Sequence, residues 1–395
     1  MRHPSFVTFL PVLGTMLLIW FCKEGEFVSD ILASRPLVAV GLISYSLYLW
    51  HYPIFAFARI KSESITPYDK IGWIILSLVL STFTYFLIER PIRRSEKISF
   101  RFLTRVLSLW AILIALPLGY GLKNDGLWRH FEDWQLKYIN VAKTGIEPLA
   151  IYVTTGFNSL QGKDFSNNEN QKRLLIIGDS FAQDFYNVLK EGGLLEGVDV
   201  STHYIPAICK NVPEHTDFMQ HIAPQDVAFC QNFIRIGNEK LNKRLAAADF
   251  IIVTSAWDKY TTSQLKNLHS ELKKRSKAKL FIVGRKSFCP LRIVDIITAT
   301  DKSTLVNMKR ESPYEYDSVK LAREVMSGNN GYLDLHRIVC GDTEKCPVTN
   351  PDGYLISYDG CHLSKEGASY IGKLLIENQN FIGSWNSVFK STNVR

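Results

Sequence analysis

Three residues in two short motifs have the side chains that a serine acyl-transfer site needs. The first motif, Leu-Leu-Ile-Ile-Gly-Asp-Ser-Phe at 174–181, is an apolar run that ends in a Gly-Asp-Ser turn. The second, Asp-Gly-Cys-His-Leu-Ser at 359–364, places Asp359 shortly before His362. Ser180 would be the nucleophile, His362 the general base and Asp359 the carboxylate that orients the imidazole. The two motifs therefore predict acyl transfer through an acyl-enzyme.

The sequence around Ser180 fits a strand, a tight turn and a helix. Gly178 permits the turn, and Asp179 either caps the following helix or fixes the turn. Backbone N–H groups at the start of that helix could hold the oxyanion of a tetrahedral intermediate. A Gly-Asp-Ser triplet alone also serves as a plain helix cap, but the preceding apolar strand and the Asp-x-x-His motif favour catalysis.

From residue 172 the chain alternates between apolar runs and polar, helix-forming segments. The predicted strands are 173–177, 198–204, 249–253, 279–283 and 332–335. The predicted helices are 181–189, 239–248, 263–276 and 365–377, with Ser364 as the N-cap of the last one. This alternation predicts an α/β domain with a parallel sheet covered by helices. Ser180 would then follow the carboxyl end of the first strand, where sites form in such sheets.

The first part of the chain is predicted to be an α-helical membrane segment. It has four apolar stretches long enough to cross a bilayer, at 5–22, 36–58, 71–89 and 104–122. The loop at 90–103 is rich in Lys and Arg, which favours the cytoplasm. Residues 123–395 and the N-terminus would then both lie outside. We therefore expect the chain to begin within a larger membrane domain.

The net charge of +8 could indicate binding to nucleic acid. Part of the excess, however, lies beside the predicted spans, in Arg90, Arg93, Arg94, Lys97, Arg101 and Arg105. A positive cytoplasmic flank explains these residues. We expect a lipid bilayer, and no nucleic acid, as a partner.

Six cysteines follow the predicted spans. They are Cys209, Cys230, Cys289, Cys340, Cys346 and Cys361. An even number in a domain outside the cytoplasm predicts disulfides, although sequence alone leaves several pairings open. Our expectation is Cys209–Cys230, Cys340–Cys346 and Cys289–Cys361. Zinc is the alternative, but the chain has no Cys-x-x-Cys pair, so no metal site is predicted.

Three polar residues of the membrane segment are candidates for function. His51 lies in a predicted span, where an ionisable residue is a functional candidate. The alternative is a structural hydrogen-bonding role for His51 at the interface, with Pro53 kinking the helix end. Glu89 and Arg90 fit an interfacial cap, with Pro91 ending the span.

Two motifs in this segment resemble the acyltransferase-3 family, near the C-terminal end of its membrane domain. They are Ser-Tyr-Ser-Leu-Tyr-Leu-Trp-His-Tyr-Pro at 44–53 and Ile-Glu-Arg-Pro-Ile-Arg at 88–93. The resemblance implies that 1–103 is the C-terminal fragment of that domain with three spans. Residues 104–122 would be a linking transmembrane helix and 123–170 an extension. Because only the back part of the family's membrane domain is covered, a partner chain could supply the missing spans.

Residues 171–390 resemble the SGNH, or GDSL-like, hydrolase superfamily. In that superfamily the serine lies in the first motif and Asp-x-x-His lies just before the last helix. These positions correspond to Ser180, Asp359 and His362.

Typical members of the superfamily add a Gly and an Asn to the oxyanion hole. Gly192 or Gly193 could be that Gly. The usual Gly-x-Asn-Asp is replaced by Thr-Ser-Ala-Trp-Asp at 254–258, as expected of membrane-fused relatives. Trp257 is then a supporting residue, and one oxyanion donor has no assignment.

Together the resemblances imply a bacterial membrane-bound O-acyltransferase that transfers acetyl groups. Its acceptor would be a cell-surface glycan such as lipopolysaccharide O-antigen, and its catalytic domain would lie in the periplasm, attached to the inner membrane. Acetyl-CoA would be the donor, and no bound cofactor is expected. Two alternatives stay open: an SGNH-type carbohydrate esterase or deacetylase, and a truncated accessory half of a split acyltransferase.

Overall fold

The structure, a computed structural model, divides into two compact units, Met1–Arg129 and His130–Arg395. The described residues are 6–23, 25–61, 66–94, 99–123, 131–144, 146–168, 170–213, 218–231, 238–286, 288, 295–296, 299–311 and 313–390.

The first unit is helical. Its helices are α1 (Phe6–Phe21), α2 (Phe27–Leu32), α3 (Arg35–Lys61), α4 (Pro67–Thr84), α5 (Arg90–Arg94) and α6 (Phe100–Lys123). A π-helical turn, Tyr85–Glu89, joins α4 to α5.

Three stretches of the described residues are long and apolar enough to cross a membrane. They are Arg35–Arg59, Pro67–Arg93 and Thr104–Lys123, which correspond to the last three predicted spans. The first predicted span forms α1, whose 16 residues are fewer than the roughly 20 that cross a bilayer. A fourth span therefore stays a prediction.

The prediction that Pro91 ends its span is wrong. Pro91 lies within α5, and the apolar helix continues to Arg93. The π-helical turn ends just before α5, so Pro91 lies in the first turn after a change of hydrogen-bond register. A proline is tolerated there because its missing N–H would have no regular partner.

The second unit contains a five-stranded parallel sheet. Its strands are β1 (Arg173–Gly178), β2 (Asp199–Tyr204), β3 (Phe250–Thr254), β4 (Lys279–Val283) and β6 (Tyr332–Leu333), in the order β2-β1-β3-β4-β6. Two further strands, β5 (Lys309–Glu311) and β7 (Lys345–Pro347), form a separate antiparallel pair.

The described part of the second unit also contains α-helices. In chain order they are α7 (Asp133–Thr144), α8 (Ile146–Asn158), α9 (Ser180–Glu191), α10 (Val227–Gln231), α11 (Glu239–Ala247), α12 (Lys259–Ser263), α13 (Leu265–Arg275), α14 (Lys302–Val306), α15 (Pro313–Val325), α16 (Leu335–Cys340), α17 (Lys365–Glu377) and α18 (Gln379–Phe389).

The central strand β1 is buried on both faces. Leu174 and Ile176 belong to one hydrophobic cluster, whereas Leu175 and Ile177 belong to another. Side chains alternate between the two faces of a strand, so a continuous apolar run places one cluster on each side of the sheet. The predicted parallel sheet covered by helices is therefore confirmed.

Helices α7 and α8 lie in the extension, where the sequence pattern predicts no helix. Phe157 of α8 lies edge-on to Tyr186 of α9, with ring centroids 6.5 Å apart. Asn187 donates to the backbone carbonyl of Val153 at 3.3 Å. These contacts with α9 stabilise α8 through tertiary packing, which a local pattern does not report.

Two of the predicted disulfides are present, Cys209–Cys230 and Cys340–Cys346. The third predicted pair includes Cys289, which lies outside the described residues. That pairing with Cys361 stays a prediction.

Candidate active site

The turn between β1 and α9 places Ser180 at the first position of a helix. Gly178 has φ +148°, and a Cβ atom there would lie 1.7 Å from the carbonyl oxygen of Thr254. Only glycine fits this close approach of two strand ends. Asp179 is the N-cap of α9, because its Oδ1 accepts from the backbone N–H of Phe181 at 2.8 Å.

Asp179 also joins this turn to the loop that follows β3. Its Oδ2 accepts from the backbone N–H of Ala256 at 2.8 Å and from the hydroxyl of Ser255. Burial raises the pKa of Asp179, although these hydrogen bonds act in the opposite direction. The carboxyl group thus fixes two neighbouring loops at the carboxyl edge of the sheet.

Trp257 lies in the same loop and is buried. Its indole N–H donates to the carbonyl oxygen of Val283 at 2.8 Å, and Arg285 donates to the Trp257 carbonyl at 3.2 Å. The side-chain donor of Trp257 is therefore already used. Trp257 therefore attaches the loop after β3 to the end of β4.

His362 and Asp359 form a hydrogen-bonded pair in the loop before α17. The distance between His362 Nδ1 and Asp359 Oδ2 is 2.6 Å. Asp359 Oδ1 also accepts from the backbone N–H groups of His362 and Cys361, at 2.7 and 2.8 Å. Ser364 is the N-cap of α17, as predicted, since its hydroxyl accepts from the N–H of Gly367 at 2.9 Å. These bonds fix the imidazole ring relative to the carboxylate.

The electrostatics of this pair suit a general base. The hydrogen bond to Asp359 raises the pKa of His362, with partial burial acting the other way. Partial burial alone would raise the pKa of Asp359, but the hydrogen bonds from His362 and from two backbone N–H groups outweigh it and lower that pKa. Asp359 is therefore ionised over the range in which His362 titrates.

Asp184 brings the serine helix and the histidine loop together. It follows Ser180 by one helical turn on α9, so the two side chains share a face of the helix. Its Oδ1 accepts from the backbone N–H of Leu363 at 3.0 Å, and Leu363 directly follows His362. No hydrogen bond joins Ser180 Oγ to the His362 ring among the described residues. Such bonds are often long before substrate binds.

Gly192 and Gly193 do not lie at this site. Gly192 is the C-cap of α9, whereas Ser180 is its first residue. The 12 residues of α9 separate the two ends by about 18 Å. The suggestion that either glycine belongs to the oxyanion hole is therefore wrong, because the helix that begins at the site carries them away from it.

Asn211 is a buried polar residue that the sequence analysis did not single out. It is 2% exposed, and neither polar atom of its side chain has a hydrogen-bond partner in the described part of the chain. It lies in the loop after β2, which neighbours β1. The adjacent Lys210 forms an ion pair with Asp258, in the loop after β3. No motif distinguishes this asparagine, so only its burial identifies it.

The membrane-segment candidates lie in the other compact unit. His51 is exposed on α3, with Nδ1 3.1 Å from the carbonyl oxygen of Leu47. Glu89 accepts from the hydroxyl of Ser46 at 2.9 Å and pairs with Arg93 at 2.7 Å. The guanidinium of Arg90 instead lies 5.6 Å from the centroid of the Phe86 ring. Glu89 therefore links α3 to the π-helical turn, and its ion pair among the described residues is with Arg93 rather than with the adjacent Arg90.

One group of possible metal ligands is found among the described residues, His336 with Cys340 and Cys346. The two cysteines are joined in a disulfide, so neither supplies a thiolate. His336 Nε2 lies 2.9 Å from the carbonyl oxygen of Thr343. We assign no metal to this group.

Comparison with known proteins gives a family match over more than half of the chain. Residues 153–377 match the family described as "SGNH domain (fused to AT3 domains)". The chain is 38% identical over 175 residues to the O-acetyltransferase OatA of Staphylococcus aureus, and this alignment covers 42% of this chain and 28% of the Staphylococcus protein. It is 28% identical over 94 residues to the peptidoglycan O-acetyltransferase OatA of Listeria monocytogenes, and this alignment covers 23% of this chain and 15% of the Listeria protein.

The chain thus spans less than a third of the length of these relatives. Among solved structures, the lipopolysaccharide acetyltransferase periplasmic domain of Salmonella ser. Paratyphi A aligns with a TM-score of 0.36 and 14% sequence identity. That alignment covers 62% of this chain and 96% of the Salmonella domain.

Proposed function

The chain belongs to the family of SGNH domains fused to AT3 domains, and from that membership we propose that it transfers acetyl groups to hydroxyls of a cell-surface glycan. The observation that carries the proposal is the His362–Asp359 hydrogen bond of 2.6 Å, in a loop bonded to the helix that begins at Ser180. The relatives are named as O-acetyltransferases, which supports acetyl as the acyl group.

The proposed reaction begins with proton transfer from Ser180 Oγ to His362 Nε2. Asp359 holds the Nδ1–H of the imidazole and stabilises the imidazolium. Ser180 Oγ bonds to the acyl carbon of the donor, and collapse of the tetrahedral intermediate expels the leaving group, which takes the proton from His362. The product of this half-reaction is an acetyl ester on Ser180.

The second half-reaction uses the same residues in reverse. His362 removes the proton from a sugar hydroxyl, whose oxygen bonds to the acyl carbon. The bond to Ser180 Oγ then breaks, and His362 returns the proton to the serine. Water in place of the sugar would give an esterase, which is the alternative function of the same site.

Two groups are proposed to stabilise the oxyanion. One is the backbone N–H of Ser180, at the start of α9, where helix N–H groups have no partner within the helix. The other is the side-chain amide of Asn211, which is buried and has no hydrogen-bond partner among the described residues. Asn211 would supply the donor for which the sequence offered no assignment.

The proposed arrangement of the chain follows the sequence. Residues 1–103 would belong to the acyltransferase membrane domain, 104–122 would link it to the outside, 123–170 would extend from it, and 171–390 would form the catalytic domain. The protein would lie in the bacterial inner membrane with that domain in the periplasm. Acetyl-CoA would be the cytoplasmic donor.

Within the membrane segment, His51, Glu89 and Arg90 are proposed to serve acyl passage or packing between the helices of the membrane domain. An ionisable residue in a membrane segment is costly and is commonly retained for function. The Ser46–Glu89 hydrogen bond between two of the apolar helices shows how Glu89 is accommodated.

The acceptor is proposed to be a glycan outside the cytoplasm. Lipopolysaccharide O-antigen is the acceptor that the sequence resemblance favours, and peptidoglycan is the acceptor in the name of the Listeria relative. Both offer sugar hydroxyls to the acyl-enzyme, so both belong in the test.

The test uses the full chain in detergent with p-nitrophenyl acetate, alone and with each glycan. Ser180→Ala should abolish acetate release, whereas Ser387→Ala, at an exposed serine of α18, should leave it unchanged. Acetylated glycan among the products supports the transferase, and acetate alone supports the esterase. Equal turnover by the wild type and Ser180→Ala would refute both functions.

A further inference from the structure

A buried ion pair lies beside the proposed catalytic residues. Asp184 of α9 is 1% exposed and Lys286, in the segment after β4, is 3% exposed. Lys286 Nζ lies 2.6 Å from Asp184 Oδ2. The proposed reaction does not use either residue directly.

Both members of this pair also bond to the backbone that flanks His362. Asp184 Oδ1 accepts from the N–H of Leu363 at 3.0 Å. Lys286 Nζ donates to the carbonyl oxygen of Cys361. One charged group therefore contacts the residue before the histidine, and its partner contacts the residue after it.

The same pair reaches the residues next to the nucleophile. Asp184 lies one turn from Ser180 on α9. Lys286 Nζ lies 3.6 Å from the ring centroid of Phe181, a cation–π distance, and Phe181 directly follows Ser180. The pair thus contacts both the residues next to Ser180 and the residues next to His362.

Stability alone is a weak explanation for such a pair. Removing two charges from water costs as much as their attraction returns, and apolar replacements of similar volume are often neutral or stabilising. Ionic hydrogen bonds, however, are short and directional, so they define positions more sharply than apolar packing does. The ion pair and its contacts with Leu363, Cys361 and Phe181 therefore define the position of the loop at 361–363 relative to α9.

We propose that Asp184 and Lys286 are positioning residues, which hold the backbone at 361–363 so that the His362 ring faces Ser180 Oγ. Neither residue contacts the substrate. The inference rests on the proposed function of Ser180 and His362, and it adds a structural cause for their alignment.

The test compares single and double variants of the full chain. Asp184→Leu or Lys286→Met alone leaves one buried charge unpaired and should lower the melting temperature. The double variant Asp184→Leu with Lys286→Met removes both charges and should recover much of that loss. Its kcat for p-nitrophenyl acetate should still fall about 10- to 100-fold with KM nearly unchanged, because a small misplacement of the base is costly.

Arg244 provides a matched control for the loss of a buried cation. It is 4% exposed and bonds to Ser201 Oγ and the Thr202 carbonyl at 3.0 Å, on β2. Arg244→Met should lower the melting temperature without lowering the kcat of the folded protein. A comparable fall in kcat for this control would show that any buried charge lost from the domain impairs turnover.

The outcomes separate this inference from the proposed function. Wild-type turnover that depends on Ser180, with a double variant whose kcat stays within threefold, refutes the positioning role and leaves the function intact. Wild-type turnover that does not depend on Ser180 refutes the function, and with it a role in that reaction for Asp184 and Lys286.

Discussion

Replacing Asp359 by asparagine tests the proposed base directly. The wild-type carboxylate accepts from His362 Nδ1 at 2.6 Å, which leaves Nε2 free to take the proton of Ser180. An asparagine amide can keep the two backbone bonds through its oxygen, but its NH₂ would face Nδ1. The imidazole would then carry its proton on Nε2, in the tautomer that cannot act as a base.

The expected loss follows from two effects of this substitution. Restoring the active tautomer requires breaking a hydrogen bond, and the imidazolium of the transition state loses an ionic one. A hydrogen bond between neutral groups contributes about 0.5–1.5 kcal/mol and one to a charged group about 1.5–3 kcal/mol, so the two effects together cost about 2–4.5 kcal/mol. Since each 1.36 kcal/mol corresponds to tenfold in rate, kcat should fall about 30- to 2,000-fold.

The pH dependence should change as well. Activity requires neutral His362, so kcat/KM should rise with pH through the pKa of His362. In the wild type that pKa is raised, chiefly by Asp359, so the midpoint should lie above the ordinary value of about 6.5. Asp359→Asn removes the main cause of the shift, and the midpoint of the residual activity should move to lower pH.

The assay is release of p-nitrophenol from p-nitrophenyl acetate by the full chain, as a function of pH. Asp352→Asn is the matched control, because Asp352 is an exposed acid in the turn upstream of this loop. It should leave rate and midpoint unchanged. A loss below threefold in Asp359→Asn, or an unchanged midpoint, would refute the role of Asp359 as the orienting carboxylate.

Three further predictions concern the fold and the oxyanion. Gly178→Ala should lower the free energy of unfolding by about 3–5 kcal/mol, because of backbone strain and the clash with Thr254. Gly193→Ala is the control: at φ +70°, with no atom within 4 Å of the new Cβ, it should lower the free energy of unfolding by only about 1–2 kcal/mol. Equal losses of unfolding free energy for the two variants, measured by denaturant unfolding, would contradict the clash at Gly178. The Cys209–Cys230 disulfide joins residues with a sequence separation of 21. Replacing both cysteines by serine should lower the free energy of unfolding by about 3 kcal/mol. A change below about 0.5 kcal/mol would argue against a stabilising disulfide. Asn211→Ala should lower kcat about 100-fold with little change in KM, and a loss below threefold would remove Asn211 from the oxyanion site.

Much of the framework could be predicted from local patterns. The apolar run at 174–177 predicts a strand buried on both faces, and the structure contains it as β1. The helix at 365–377 and its cap, Ser364, follow from a short-range signal and are confirmed. The Asp359–His362 hydrogen bond joins residues three apart, so their spacing alone allowed it to be expected.

The strands and helices with strong local patterns, the family and the candidate catalytic residues could therefore be predicted from the sequence, because these depend on periodicity and on short motifs. The groups that surround these residues depend on how distant parts of the chain pack together. The hydrogen bond from Leu363 to Asp184 spans 179 positions and that from Lys286 to Asp184 spans 102. Contacts of this separation arise when strands and helices pack into one sheet, and no local pattern encodes them. The same packing places Gly192 at the far end of α9 and buries Asn211 without a partner among the described residues.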